Sequence, residues 1–191
     1  MENVTIREVK LEDVTQLLDI YGYYVCNTAI TFETQIPTKE DFIERIKSIT
    51  AKYPYLVAEA NGKILGYSYA HAYNTREAYD WCVEMTIYLD KDCRGAGLGK
   101  KLYEKMEECL KSMNIKNLYS CIATTNKPSK YLTNASIDFH KALGYEINAN
   151  FKQSGYKFNE WFDMVWMEKI IGEHELNPKT VEKFKGLISL N

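Results

Sequence analysis

Arg94-Gly95-Ala96-Gly97-Leu98-Gly99-Lys100 is the densest chemical signal in the chain. Alternate glycines between a strand-like run and a helical run let the backbone come close to a ligand. A helix starting there offers unpaired N–H groups and the positive end of its dipole. A phosphate or diphosphate is the natural guest, with Arg94 and Lys100 adding charge. A Walker loop fits poorly, because Arg94 stands at its first glycine and Lys101 at its hydroxyl residue. A dinucleotide fingerprint counted from Gly95 puts Lys100 at its third glycine, with no clean strand–helix–strand unit around it.

Two side chains near this turn can move protons. Glu84 sits on the preceding strand, on the opposite face from Val83, Met85 and Ile87. It reads either as an outward glutamate on an alternating strand or as a cleft carboxylate that draws a proton from an amine. His140, in a short helix before Gly144, reads as a half-buried helix histidine or as an acid–base group titrating near neutral pH. His71 and His174 have no comparable setting and read as structural or solvent-facing. Phe32, Arg76, Tyr79 and Lys157 could frame a small anionic molecule bearing an amine, with Tyr73 beside them or packed in the sheet.

These groups need elements to hold them. Val4–Val9 alternates as a first strand, and Leu11, Val14, Leu17, Leu18, Tyr21 and Val25 follow at helical spacing. Thr38, with Asp41 three residues on, caps a second helix. Residues 55–60 and 64–72 form a hairpin around Asn61-Gly62, and 81–89 is a long strand leading into the glycine turn. A helix with Leu98, Leu102, Met106 and Leu110 comes next, then a strand over 118–123, a polar loop over 124–133 and a helix over 136–143. Two closing strands, 145–151 and 161–170, flank Gly155. Pro178, Val181, Phe184, Leu187 and Ile188 suggest an appended helix. The order is that of a mixed α/β domain around one sheet.

At the glycine turn the chain resembles the GNAT superfamily of N-acetyltransferases, whose R/QxxGxG/A diphosphate loop is matched by Arg94 through Gly99. Val83–Leu89 before the loop and Asn134–Tyr145 after it resemble the phosphinothricin and methionine sulfoximine N-acetyltransferase branch. So do Thr31–Thr34, Arg76–Trp81 and Gly155–Phe158. The resemblance covers about residues 3–169. It implies a single GNAT domain over 1–170, α/β (α+β), with a mixed, mostly antiparallel central sheet flanked by helices; residues 171–191 lie outside the resemblance and read, from their spacing alone, as a helical extension. It implies acetyl-CoA as donor and the amine of a small amino acid as acceptor, with a polyamine, a peptide or protein amine, or silent acyl-CoA binding as alternatives. Backbone of Ile87, Tyr88 and Leu89 would meet the pantetheine arm. Arg94, Gly95, Ala96, Gly97, Leu98, Gly99 and Lys100 would cradle the diphosphate, and Ser136 with Asn134 would reach the cofactor. Glu84 and His140 would form the catalytic pair, and Phe32, Tyr73, Arg76, Tyr79 and Lys157 the acceptor site. A homodimer is also implied. Where the branch carries a second arginine, this chain has Asn74, which cannot bind an acid group in bidentate fashion.

The 191 residues suit one domain. A net charge of −2 argues against non-specific nucleic-acid binding. No run of apolar residues is long enough to span a membrane, and the N-terminus shows no secretory pattern. Five cysteines without a CxxC pair argue against a zinc site or disulfide framework and suit a cytoplasmic setting.

Overall fold

A computed structural model describes residues 4–95 and 97–187. Seven strands form one sheet in the order β1-β2-β3-β4-β5-β7-β6. They are β1 (Thr5–Glu8), β2 (Tyr55–Ala60), β3 (Lys63–Ala72), β4 (Cys82–Leu89), β5 (Asn117–Thr124), β6 (Glu146–Lys157) and β7 (Glu160–Ile170). Helices α1 (Val14–Asn27), α2 (Lys39–Thr50), α3 (Leu98–Ser112) and α4 (Ala135–Ala142) complete the domain. All strand pairs are antiparallel except β4 with β5.

Alternation along the strands sends side chains to two cores. Leu56, Ala58, Val83, Met85, Leu118 and Met167 lie beneath α3, whose Leu98, Leu102, Met106 and Leu110 recur at helical spacing. On the other face, Tyr55, Val57 and Tyr67 meet Leu17, Tyr21 and Tyr24 of α1 and Phe42 and Ile46 of α2. The Thr38 hydroxyl accepts from the Asp41 N–H and caps α2 as its sequence predicts. Asn61 and Gly62 both take positive φ, the turn that suits the twist of the β2–β3 hairpin.

Two expectations fail here. Gly155 does not separate the last two strands. It lies inside β6, and the hairpin turns at Phe158 and Asn159, which take positive φ despite having side chains. A Cβ on Gly155 would stand 2.2 Å from the Phe32 ring, so the glycine is there to admit that ring. The described part of the tail, through residue 187, is irregular rather than helical, and Ile188 lies outside the described residues. Pro178 supplies no N–H, and Gly186 takes a left-handed φ of 94°. Two of the tail's N–H groups are claimed by the ends of other helices, and a third, that of Leu187, donates to Glu8 Oε1. Glu182 N–H donates to the Met113 carbonyl after α3, and Phe184 N–H to the Lys52 carbonyl after α2. These are the carbonyls that a helix end leaves without an internal partner. The Trp81 indole donates to the Lys179 carbonyl, and Val181, Phe184 and Leu187 pack on the core.

Replacing Phe184 with Ala should therefore destabilise the domain by about 1–2 kcal/mol, since the side chain is only partly buried. That corresponds to a drop in Tm of roughly 3–6 °C at this chain length. A melt indistinguishable from the parent would mean that the tail does not dock in solution.

Candidate active site

β4 and β5 run parallel for only three residue pairs, ending at Glu84 and Tyr119. Beyond that point each strand stays bonded to its outer neighbour, β4 to β3 as far as Leu89 and β5 to β7 as far as Thr124. The two strands part, and the gap is a cleft of about 280 Å³. Met85, Thr86, Ile87 and Tyr88 line one side, and Ser120, Cys121, Ile122 and Ala123 the other. Glu84, His140, Ser136 and Phe32 also line it, so the structure brings these four candidates together with Ile87 and Tyr88.

Glu84 stands where the strands begin to part. Burial raises its carboxyl above the ordinary value, opposed by the charge of His71 when that ring is protonated. The His71 Nε2 lies 3.8 Å from Glu84 Oε2 across the β3–β4 ladder. From the sequence His71 reads as structural or solvent-facing; its strand register also makes it Glu84's neighbour, which only the pairing reveals.

His140 is buried on the cleft wall. Its Nδ1–H donates to the Ser136 carbonyl at 2.7 Å, one helical turn back. That bond fixes the tautomer, leaving Nε2 to accept from the Tyr103 hydroxyl at 2.9 Å. Burial pushes the imidazole down to about 4, with the Ser136 bond opposing. The ring is neutral at neutral pH and both nitrogens are engaged. Tyr103 itself lines the cleft, and burial raises its phenol far out of the titrating range. Sequence reasoning missed Tyr103 because it sits on α3 among core residues at ordinary helical spacing. The Ser120 hydroxyl is also on the wall, buried and with no hydrogen-bond partner among the described residues.

The turn after β4 fits a diphosphate. Gly95 and Gly97 take φ of 78° and 77°, and a Cβ on either would meet nothing within 4 Å, so the cradle is open. Gly97 precedes α3 with no side chain capping the first turn, whose N–H groups point out of the helix. Gly99 packs closely on Phe139, so Leu98 and Gly99 fix the helix while Lys100 stays exposed. The Arg94 guanidinium lies 5.1 Å from the Tyr24 ring centroid beside this turn. Ala96 is outside the described residues. The Leu89 carbonyl accepts from the Tyr24 hydroxyl at 2.6 Å, which anchors the end of β4 to α1.

Residues 6–166 match the acetyltransferase (GNAT) domain. The chain belongs to the GNAT acetyltransferases. A phosphinothricin N-acetyltransferase of Streptomyces viridochromogenes is 30% identical over 166 residues, 87% of each chain. An L-methionine sulfoximine/L-methionine sulfone acetyltransferase of Pseudomonas paraeruginosa is 32% identical over 172 residues, 87% of this chain and 94% of the relative. Among solved structures, a GNAT superfamily phosphinothricin acetyltransferase from Sinorhizobium meliloti, in complex with acetyl-CoA, superposes with a TM-score of 0.84 at 31% identity. That match covers 92% of this chain and 93% of the other. This GNAT chain is an acetyl-CoA-dependent N-acetyltransferase.

The other candidates go elsewhere. The Lys157 ammonium is buried and donates to the Thr31 carbonyl at 2.8 Å, so it pins the segment that carries Phe32 and does not line the cleft. Tyr73 packs on Tyr119, with ring centroids 4.5 Å apart, and on Trp166 and Tyr79, away from the cleft lining. Arg76 belongs to the turn after β3, where its N–H donates to the Asn74 side chain. Asn134 precedes α4, but its amide turns back to Thr124 and Thr125.

The depressed His140 pKa has a direct consequence for stability. Unfolded, the ring titrates near 6.5; folded, near 4. Between those values the unfolded chain binds a proton that the folded chain refuses. Stability is then full above pH 6.5 and lost as pH falls toward 4, by up to about 3 kcal/mol. Urea midpoints measured across that window should fall on the acid side, and His140→Gln should flatten the fall. An equal slope in the variant would assign the acid sensitivity to another group.

Proposed function

We propose that this enzyme acetylates the amine of a small amino acid of the phosphinothricin, methionine sulfone or methionine sulfoximine type. The observation that carries this reading is the half-buried Glu84 at the head of a small, walled cleft between β4 and β5. A peptide or protein acceptor needs an open groove beside the base. Similarity to relatives named for such amino acids supports the same reading.

Within this reading, the first turn of α3 with Gly95, Gly97 and Lys100 holds the diphosphate of acetyl-CoA, with Arg94 beside it. The unpaired edge of β4 from Thr86 to Tyr88 lies along the pantetheine arm, and Ser136 stands at its inner end. Bound acetyl-CoA supplies the activated acyl group. An amine acceptor enters as the ammonium and is unreactive until deprotonated. Glu84 takes that proton, its raised pKa making it a better base than an exposed carboxylate. His140 is the positioning partner of Tyr103. By accepting from the phenol it holds the Tyr103 oxygen at the wall where acyl transfer takes place.

Glu84→Gln should lower kcat by about 10²- to 10⁴-fold, the range of a general base. The working base must be ionised, so kcat/KM of the parent should fall on the acid side, with an inflection above the ordinary 4.5 of a glutamate. Glu84→Gln should lose that limb. A retained limb, or near-parental turnover, rules Glu84 out as the base.

We also place the enzyme in the cytoplasm as a homodimer. Its five cysteines are free thiols, and no described helix is long and apolar enough to cross a membrane. β6 is an edge strand, and its hairpin with β7 exposes Ile147, Phe151, Tyr156 and Trp161. An apolar edge of this kind is a liability unless covered, and a second copy would cover it. Sedimentation should give a dimer, and Phe151→Glu with Trp161→Glu a monomer. A monomeric parent protein would remove the dimer.

A further inference from the structure

Acetyl transfer from a thioester to an ammonium gives an amide, a thiol and one proton left over. Every turnover must therefore clear a proton from the site before the base can act again. Glu84 is half-buried, and most titratable groups around it have no room for that proton. Burial raises the phenols of Tyr69, Tyr88, Tyr103 and Tyr119 and the thiols of Cys82 and Cys121, so all six are already protonated at neutral pH. The His140 ring is neutral, but its Nε2 already accepts from Tyr103.

His71 differs. The β3–β4 register sets it opposite Glu84, with Nε2 at 3.8 Å from Oε2. Its Nδ1 lies 3.1 Å from the Ala72 carbonyl, which can only accept, so Nδ1 carries the ring hydrogen. Nε2 is left with a lone pair toward the carboxyl. Acid–base contacts of this length commonly tighten when substrate binds. His71 also stands between two spaces. It lines the cleft and a second recess of about 570 Å³, between α2 and strands β2 and β3. Glu33, Asp41 and Glu44 line that recess against Arg45, which is already paired with Glu33. Such a lining attracts a departing proton and repels an anion.

We propose that His71 takes the proton from Glu84 and delivers it to water in this recess. The acceptor's N–H bond breaks as the Glu84 O–H bond forms. That O–H bond then breaks as Nε2–H forms, leaving a carboxylate and an imidazolium. The imidazolium gives the proton to water and returns to its neutral tautomer, and Glu84 is again a base. The inference rests on Glu84 being the base and adds the route by which it is regenerated. His71 acts through Glu84 rather than on the acceptor, so it is a positioning residue and not a catalytic one.

The experiment measures kcat and kcat/KM for methionine sulfone against pH on parent, His71→Ala and Glu84→Gln enzymes, with and without added imidazole. His71→Ala should lower kcat at neutral pH about 10-fold, less than the loss of a direct acid–base group. Imidazole should restore turnover in His71→Ala and not in Glu84→Gln. The acid limb of kcat/KM should move to higher pH in His71→Ala, because the charge that opposes the burial of Glu84 is gone. Unchanged kcat, an unmoved limb, or a loss that imidazole does not repair overturns the relay. A retained acid limb in Glu84→Gln removes the base, and the relay falls with it. If that limb is lost while His71→Ala behaves as the parent, the relay alone falls. A titration of the Glu84 carboxyl by ¹³C NMR, assigned by its absence in Glu84→Gln, needs no acceptor. Its midpoint should rise in His71→Ala, and an unshifted midpoint overturns the pairing. If methionine sulfone is not acetylated, the acceptor reading fails by itself and this titration still decides whether His71 and Glu84 are paired.

Discussion

The three residue pairs between β4 and β5 are the constraint on which the site depends. Parallel strands seldom separate inside a sheet, because each unpaired backbone group needs another partner. Here the separation is enforced from outside. β3 holds β4 along its whole length, β7 holds β5 along its whole length, and these outer partners diverge. The result is a strand edge in the interior of the molecule with donors and acceptors to offer. An extended ligand arm can add to that edge as a strand would. The same divergence leaves Glu84 at the apex, half-buried and still reached by solvent.

The polar groups around the apex divide by burial. Glu84 keeps a titratable proton because His71 and solvent reach it. His140 does not, because α4 and α3 enclose it and both nitrogens are bonded. Tyr103 is held neutral by the same enclosure. A site built this way keeps one carboxyl, its pKa raised by burial, beside a wall of oriented neutral dipoles. Such dipoles stabilise developing charge without having to reorganise at the moment of transfer.

The sequence made the element order, the glycine cradle and the position of Glu84 legible, because each depends on local chemistry. Alternation placed β4, periodicity placed α3, and only glycine suits the open left-handed turn at Gly95 and Gly97. What stayed hidden depends on pairing. His71 becomes important through its register opposite Glu84, and Tyr103 through the helix-to-helix bond to His140. The tail misled for a related reason. Val181, Phe184 and Leu187 repeat at a helical period, yet the segment docks without regular structure, and carbonyls left over at the ends of α2 and α3 take the N–H groups of Glu182 and Phe184.

Lys157 illustrates how charge can serve a site without facing it. A buried ammonium loses its hydration, and burial accordingly lowers its pKa; the Thr31 carbonyl supplies part of what was lost. The bond crosses from β6 to the segment between α1 and α2, so the far edge of the sheet sets the height of Phe32 above the cleft. Gly155 on β6 makes the space into which that ring fits. Phe32 packs beside Phe162 of β7, with centroids 6.5 Å apart. Its position is thus fixed from three directions: a hydrogen bond to the neighbouring backbone, an absent side chain and a packed ring. A ring that lines the cleft keeps the cleft's shape only if it is held rigid. In this chain the rigidity comes from strands that contribute no proton-moving group.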